Sequence, residues 1–174
     1  MAIRRAFLAV LAVPLVCSAV AIAAGDLATL QARFDGENDG SRKVKLLKKL
    51  AEAQVALERS ATQANDYKTA GLTFEKYRDN IRAAFEALKR THPNAVKKPG
   101  GYKRLEFENQ KALREVKEVL LIAPDVYKPP LEIVQGDLLK IEDELLHALF
   151  PNRPGEKPLP AAPPEDSPAE EKNP

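Results

Sequence analysis

The sequence predicts an all-α fold, a helical bundle or stacked helical hairpins with four long helices plus a short N-terminal one. In the middle of the chain, apolar residues recur at spacings of three and four, which is the period of one helix face. No stretch alternates steadily between apolar and polar residues with turn residues at its ends, so no sheet is expected. The seams resemble those of coiled coils, whose side chains interlock in bundles.

The N-terminal segment, residues 1–24, has the layout of a signal peptide. Arg4 and Arg5 precede an apolar stretch from Ala6 to Ala24, and Ala21-Ile22-Ala23 has the small-residue spacing that signal peptidase needs. We therefore expect an exported protein, periplasmic or secreted. If the segment is not cleaved it becomes a membrane anchor, because it approaches the roughly 20 residues that span a bilayer.

The position of the single cysteine and the charge balance exclude several classes of function for the processed protein. Cys17 is the only cysteine and lies in the signal segment, so the processed protein has no disulfide, no thiol nucleophile and no cysteine–metal site. The chain has 27 basic and 25 acidic residues, and removal of Arg4 and Arg5 leaves 25 of each. The basic isoelectric point is therefore largely a property of the signal segment, and no nucleic-acid partner is expected.

Residues 151–174 form a proline-rich tail. Eight of these 24 residues are proline, mixed with Glu, Lys, Ala and Ser. Such a composition cannot bury enough apolar area to offset chain entropy, so a disordered or extended tail is predicted. The alternative to a purely solvated tail is a spacer or a docking ligand.

The helical domain, residues 25–150, begins with two predicted helices. The first covers Asp26 to Phe34, and Phe34 at its frayed end is expected to contribute little to stability. An acidic connector follows, and Ser41 is the expected N-cap of a second helix that reaches about Ala64. The predicted seam of the second helix is Val44, Leu47, Leu50, Gln54, Leu57 and Ala61.

The third helix is predicted to start after the turn Asn65-Asp66 and to end near His92-Pro93. Its seam is the longest unbroken one and carries the large aromatic residues, so this helix is expected to be central in the packing. The seam is Tyr67, Ala70, Phe74, Tyr77, Ile81, Ala84 and Leu88.

Two further helices complete the domain. A loop containing Pro99-Gly100-Gly101 leads to the fourth, which ends at Pro124, and Pro129-Pro130 opens the fifth, which Pro151 terminates. The seam of the fourth helix is Tyr102, Leu105, Asn109, Ala112, Val116, Val119 and Ala123. The seam of the fifth is Leu131, Val134, Leu138, Ile141, Leu145 and Leu149.

The acidic connector resembles the opening of an EF-hand calcium loop. The residues at the first, third, fifth and sixth places are Asp35, Glu37, Asp39 and Gly40. Arg42 stands at the eighth place, where an apolar residue is needed, and Leu46 at the twelfth, where a bidentate glutamate is needed. A polar connector is therefore favoured over a calcium site.

Other chemical motifs are sparse. Glu144 and His147 form a Glu-x-x-His pair, but a di-metal bundle needs two such pairs, and His92, the other histidine, precedes a proline. We expect a solvent-facing His147. No glycine-flanked serine and no phosphate-binding loop occurs. The sequence thus predicts a protein that is not an enzyme and needs no metal or cofactor.

The charge distribution is uneven along the chain. From Arg42 to Lys128 there are 20 basic and 11 acidic residues, and from Pro129 onward there are 4 basic and 10 acidic. The candidate anion-binding residues lie on the second helix: Arg42, Lys43, Lys45, Lys48 and Lys49. Either the acidic Glu142-Asp143-Glu144 of a neighbouring helix pairs with them, or they form a cationic face for anionic lipid or cell-wall polymer.

The stretch from Leu50 to Tyr77 resembles one tetratricopeptide repeat. Asn65-Asp66-Tyr67, Ala70 and Phe74 match the turn and the second helix of that motif, whereas Tyr77 and Glu58 replace small residues. No second copy follows 34 residues on, where Gly101 takes the place of Tyr67. The resemblance implies protein or peptide binding on a helical groove, and no binding residue carries over.

The chain also resembles uncharacterised exported bacterial proteins, a likeness that brings no activity. The residues that carry this likeness are Tyr77-Arg78-Asp79, Lys97-Lys98-Pro99-Gly100, Pro129-Pro130 and Leu149-Phe150-Pro151.

The sequence leaves two expected functions for the protein. The first is a non-catalytic interaction or scaffold module of the cell envelope with a protein or peptide partner. The second is electrostatic attachment to anionic membrane or wall polymer.

Overall fold

The computed structural model describes residues 17–151, with side chains from residue 26. Residues 1–16 and 152–174, which hold most of the predicted signal peptide and of the proline-rich tail, lie outside the described part. Five helices and a short 3-10 turn at Asp125–Tyr127 make up the fold, and no strand occurs in residues 17–151. The helices are α1 (Cys17–Gly36), α2 (Gly40–Gln63), α3 (Tyr67–Thr91), α4 (Pro99–Ile122) and α5 (Lys128–Leu149). The all-α prediction is confirmed.

The bundle is built around the pair α3 and α4, which lie against each other. Helices α2 and α5 each contact both members of this pair but do not contact one another, and α1 lies against α2. The expected central position of α3 is therefore shared with α4. Short connections make successive helices antiparallel, so α2 and α4 begin, and α3 and α5 end, at the same end of the bundle. We call it the Gly40 end.

The core follows the predicted seams closely. Every seam residue of α4 and α5 is buried, and so is every one of α3 except Tyr67, which is half-buried. On α2 the prediction for Leu57 is wrong, because its side chain is 38% exposed and Glu58 is buried in its place. Helix α2 contacts α1, α3 and α4, so its buried face is wider than one stripe and also includes Ala51 and Val55.

The first helix differs from the prediction. It is 20 residues long rather than short, and Phe34 is only 1% exposed, among the largest fully buried side chains. Leu27 and Leu30 pack against the same core. The Gln31 and Asn80 side chains exchange two hydrogen bonds of 3.0 Å, which join α1 to α3. The expectation that Phe34 contributes little is therefore incompatible with its burial.

Capping residues set where two of the helices begin. The carboxylate of Asp39 accepts a 2.8 Å hydrogen bond from the Arg42 amide and caps α2, so the predicted cap Ser41 is wrong and lies inside the first turn. Asp66 caps α3 by accepting from the Thr69 amide at 3.1 Å, as expected. Asp39 precedes the first helical residue, so its side chain can reach the unpaired amides of the first turn, whereas Ser41 is itself part of that turn.

Helices α4 and α5 both begin at segments that contain proline. Pro99-Gly100-Gly101, predicted to be a loop, forms the first turn of α4, because proline lacks the amide that this position leaves unpaired. Pro129-Pro130 opens α5 as predicted. Within the described residues, none of the helices combines the length and the apolar content that crossing a bilayer requires.

Candidate functional site: a cationic groove between α2 and α4

A concave site among the described residues lies between α2 and α4, with a volume of about 530 Å³. It opens near the Gly40 end, where both helices begin. We call it the α2–α4 groove. Its lining residues are Val44, Lys45 and Lys48 from α2, and Lys103, Arg104, Phe107 and Glu108 from α4.

Helix periodicity brings these side chains together. On α2, Lys45 follows the buried Val44, and Lys48 lies one turn further along the same side. On α4, Lys103 and Arg104 stand between buried seam residues, and Phe107 lies one turn beyond them. Because each helix turns its seam toward the core, the residues beside the two seams converge on one crevice.

The floor of the groove is apolar. Val44 is 2% exposed and belongs to the core, whereas the Phe107 ring is 59% exposed. A ligand that covers this solvent-exposed ring is stabilised by about 25 cal/mol per Å² of apolar area removed from water. The groove therefore suits a ligand that carries an apolar side chain.

The rim of the groove is cationic. Lys45, Lys48, Lys103 and Arg104 are all exposed, and none of them has a hydrogen bond or an ion pair with any residue in the described range. Four like charges around one crevice raise the local potential and attract anions. The groove thus joins an apolar floor to an anion-attracting rim.

One buried carboxyl group lies at the base of the groove. Glu108 is 5% exposed, and the Tyr77 hydroxyl lies 3.4 Å from its Oε2 and 3.3 Å from its backbone carbonyl. Burial raises the pKa of Glu108 against the opposing effects of Lys111, the Tyr77 hydrogen bond and Lys48. Burial, with the neighbouring Glu108 charge, also raises the pKa of Tyr77, whose phenol therefore stays protonated as a donor.

The five cations predicted from sequence have different surroundings. Arg42 binds Glu37, with 2.9 Å between its Nε and Oε2. Lys43 is 8% exposed and its Nζ lies 3.0 Å from the Glu37 carbonyl oxygen, so it is not part of an exposed face. Lys49 is exposed but does not line the groove. Of the predicted set, only Lys45 and Lys48 belong to the groove.

Sequence reasoning missed the contribution of α4. Lys103 and Arg104 supply half of the rim cations, and Phe107 supplies the exposed part of the floor. The signal that could have found it was Phe107 itself, an aromatic residue that stands off the predicted seam between Leu105 and Asn109. Single exposed aromatic residues are common on protein surfaces, so this signal gains weight only from the basic residues Lys103 and Arg104 near it.

The acidic residues of α5 do not neutralise α2. The two helices are not neighbours, so the expected pairing of Glu142-Asp143-Glu144 with the basic cluster is wrong. Glu144 Oε2 instead lies 3.9 Å from Lys89 Nζ of α3, and His147 Nε2 lies 3.5 Å from Asp143 Oδ2. The α2–α4 groove therefore keeps its positive potential in the described structure.

The acidic connector serves to close the turn between α1 and α2. The Arg42 side chain, together with the Asp39 amide, lowers the pKa of Glu37 to about 2. Asp39 caps α2, and Asp35 accepts a 2.8 Å hydrogen bond from Gln31. Residues 26–151 contain no group of three or more His, Cys, Asp or Glu side chains placed to hold a metal ion.

A second polar contact joins α2 to α4 further along the same interface. Arg59 donates to both oxygens of Glu115, at 2.7 Å to Oε1 and 3.1 Å to Oε2. Glu58 beside it is 2% exposed, accepts a 2.8 Å hydrogen bond from Thr62, and has a pKa raised by burial. The Arg59–Glu115 pair therefore joins α2 to α4 in the same interface as the groove.

Comparison with known proteins gives no relative from which a role could be transferred. No known protein family, no curated protein and no solved structure matches the chain.

Proposed function

We propose that the chain is a non-catalytic binding module of the bacterial cell envelope, and that its α2–α4 groove holds an acidic polypeptide segment with an apolar side chain. The observation that carries the proposal is the apolar floor, Val44 and Phe107, enclosed by four cations without ion-pair partners in residues 26–151. Arg4-Arg5 and the apolar stretch after them support export. The resemblance of the sequence from Leu50 to Tyr77 to one tetratricopeptide repeat also implies a peptide-binding role.

The two parts of the groove contribute unequally to binding. Full burial of a leucine-sized side chain on the floor stabilises a complex by about 1.5–3 kcal/mol. Each solvent-exposed ion pair on the rim contributes only about 0.2–1 kcal/mol and weakens with salt. The apolar anchor therefore gives most of the selectivity, and the cations speed up association and fix the direction of the segment.

The second candidate function is attachment to anionic membrane or cell-wall polymer. Lys45, Lys48, Lys49, Lys103 and Arg104 are all exposed, which favours contact with an extended anionic surface. A flat polyanion makes no use of a concave floor with a half-open Phe107 ring, however. We therefore place the polypeptide partner first.

Titration with synthetic ligands separates the two functions. The ligands are an acidic peptide with a central leucine, Glu-Glu-Leu-Glu-Glu, the same peptide with glycine in place of leucine, and vesicles of phosphatidylglycerol. We expect the leucine peptide to bind at least about tenfold more tightly than the glycine peptide, since about 1.4 kcal/mol corresponds to tenfold. Equal affinity of both peptides, with tight vesicle binding, supports the anionic-surface function instead.

Charge-reversal variants locate the binding site. Lys45→Glu combined with Lys48→Glu should weaken binding of the leucine peptide by about tenfold or more, because two exposed ion pairs are replaced by like-charge repulsion. The matched control is Lys68→Glu combined with Lys76→Glu, two exposed lysines of α3 that do not line the groove. If both double variants weaken binding to the same degree, general charge rather than the groove accounts for it.

Export has its own test. N-terminal sequencing of the protein recovered from the envelope should give a start near Ala24 or Gly25. Intact Met1 recovered with the membrane pellet would instead support an uncleaved anchor.

A further inference from the structure

The last described helix ends at the end of the bundle near which the groove opens. Helix α5 ends at Leu149, at the Gly40 end, beside the start of its antiparallel neighbour α4. The first turns of α4 carry Lys103 and Arg104, which line the groove. Because α2 and α5 lie on opposite sides of the α3–α4 pair, the path from Leu149 to the groove crosses only the start of α4.

The segment that follows has the composition that the groove accepts. Residues 151–174 contain five acidic and three basic side chains. Leu159 is the only large aliphatic side chain in that segment, which has no aromatic residue. Glu156 and Lys157 precede Leu159, and Glu165 and Asp166 follow it. One large apolar side chain in a segment of net negative charge matches an apolar floor with a cationic rim.

The segment is also long enough to reach. Leu159 lies nine residues beyond Phe150, and an extended proline-rich chain covers about 3.1 Å per residue, or roughly 28 Å in all. A helix with its side chains is about 10–12 Å across. The chain between Phe150 and Leu159 is therefore longer than the width of the helix α4 that it has to pass.

We propose that the C-terminal tail of this chain occupies its own α2–α4 groove, with Leu159 between Val44 and Phe107 and its flanking carboxylates on the rim cations. The tail is then an intramolecular ligand that a partner must displace. Only this competition rests on the proposed function, because tail docking itself needs no partner.

Tethering makes such docking effective even with weak contacts. A short covalent connection gives a local ligand concentration on the order of 1 mM. A tail segment that binds with a dissociation constant of about 0.1 mM as a free peptide would then fill the groove about nine-tenths of the time. The apparent affinity for a competing peptide falls by the open fraction, which is about tenfold.

Paramagnetic relaxation in the full chain tests the docking. A nitroxide is attached through Ala161→Cys, with Cys17→Ser so that the label has a single site. We expect strong broadening of the amide signals of Val44, Lys48 and Phe107. Leu159→Gly in the same labelled chain should remove this broadening. Absence of broadening at the groove, or broadening that Leu159→Gly does not change, overturns the proposal.

A charge control and a binding measurement complete the test. Lys45→Glu with Lys48→Glu should also remove the broadening, whereas Lys68→Glu with Lys76→Glu should keep it; equal loss in both would overturn docking at the groove. Leu159→Gly should bind the leucine peptide about tenfold more tightly than the unchanged chain does. If the groove signals broaden but no peptide binds, tail docking is supported and the proposed partner function is overturned. If the peptide binds equally well with and without Leu159→Gly, and the groove signals do not broaden, tail docking is overturned and the partner function is supported.

Discussion

The ammonium group of Lys43 lies 4.6 Å from the centroid of the Phe34 ring and 3.0 Å from the carbonyl oxygen of Glu37. It thus binds at the C-terminal end of α1, where helix carbonyl groups lack partners and the helix dipole favours a cation. The ring beneath it is 1% exposed. A single lysine of α2 therefore holds the last turn of α1 against the bundle.

Truncation of Phe34 should destabilise the fold as much as truncation of a central residue. Phe34 and Phe74 are each 1% exposed, so Phe34→Ala and Phe74→Ala should each lower the free energy of unfolding by about 3–5 kcal/mol. Phe107→Ala, at an exposed ring, should change it by less than about 0.5 kcal/mol. Urea unfolding of the three variants checks this. A Phe34→Ala midpoint close to that of Phe107→Ala contradicts the packing of α1.

Most of the fold could be predicted from the sequence because helix periodicity reports burial directly. The seam of α4 from Tyr102 to Ala123 is buried at every predicted position, including the polar Asn109. The interpretation of Phe34 failed because its burial depends on α2 and on Lys43, which are tertiary contacts. Local pattern placed Phe34 at a helix end, and ends usually fray.

A glycine-to-alanine pair tests the contact between α2 and α3. A Cβ atom on Gly40 would lie 2.6 Å from the backbone N and Cα of Leu88, which cannot give way as a flexible side chain can. Gly40→Ala should therefore lower stability by about 1–3 kcal/mol. At Gly136, inside α5, an added Cβ atom would meet nothing within 4 Å, so Gly136→Ala should raise stability by about 0.5–1 kcal/mol.

Thermal unfolding midpoints of the two glycine variants should move in opposite directions. The Gly40 amide donates a 3.1 Å hydrogen bond to Thr91 Oγ1, which holds the start of α2 at the end of α3. A Gly40→Ala midpoint equal to or above that of the unchanged protein contradicts this close approach.

The buried carboxyl group of Glu58 predicts a pH dependence of stability. Burial raises its pKa above the ordinary glutamate value of 4.5. Below that value both the folded and the unfolded chain hold the proton; as pH rises, the unfolded chain loses it first, so stability is lost as pH rises through the pKa of the folded state. Glu58→Gln removes this loss and keeps an oxygen that can accept from the Thr62 hydroxyl.

Unfolding midpoints measured from pH 4 to pH 8 check the Glu58 prediction. Glu58→Gln should be more stable than the unchanged protein at pH 7, and the difference should vanish near pH 4. Glu52→Gln, at an exposed carboxyl group of the same helix, is the control and should show little difference at either pH. A Glu58→Gln variant that is less stable at pH 7 would show that the charged form is the stabilising one.

The groove could be predicted only in part, because the side chains from α2 and α4 that line it are more than 50 residues apart in the chain. Charge counting found Lys45 and Lys48 but grouped them with Lys43, whose ammonium is used at the end of α1. It also assigned the neutralising role to α5, although the sequence does not state which helices are neighbours. The convergence of Phe107 with Val44 becomes visible only once α4 is placed beside α2.

The affinity of the leucine peptide for Phe107→Ala is the most direct test of the groove as a binding site. The ring is the exposed part of the floor, so its removal takes away the apolar contact while the four rim cations and the core stay unchanged. In titrations of chains that also carry Leu159→Gly, so that the tail does not compete, we predict that Phe107→Ala weakens binding of the peptide by about tenfold or more, the loss of about 1.4 kcal/mol or more, with an unchanged unfolding midpoint. An affinity equal to that of Leu159→Gly alone would contradict the assignment of the α2–α4 groove.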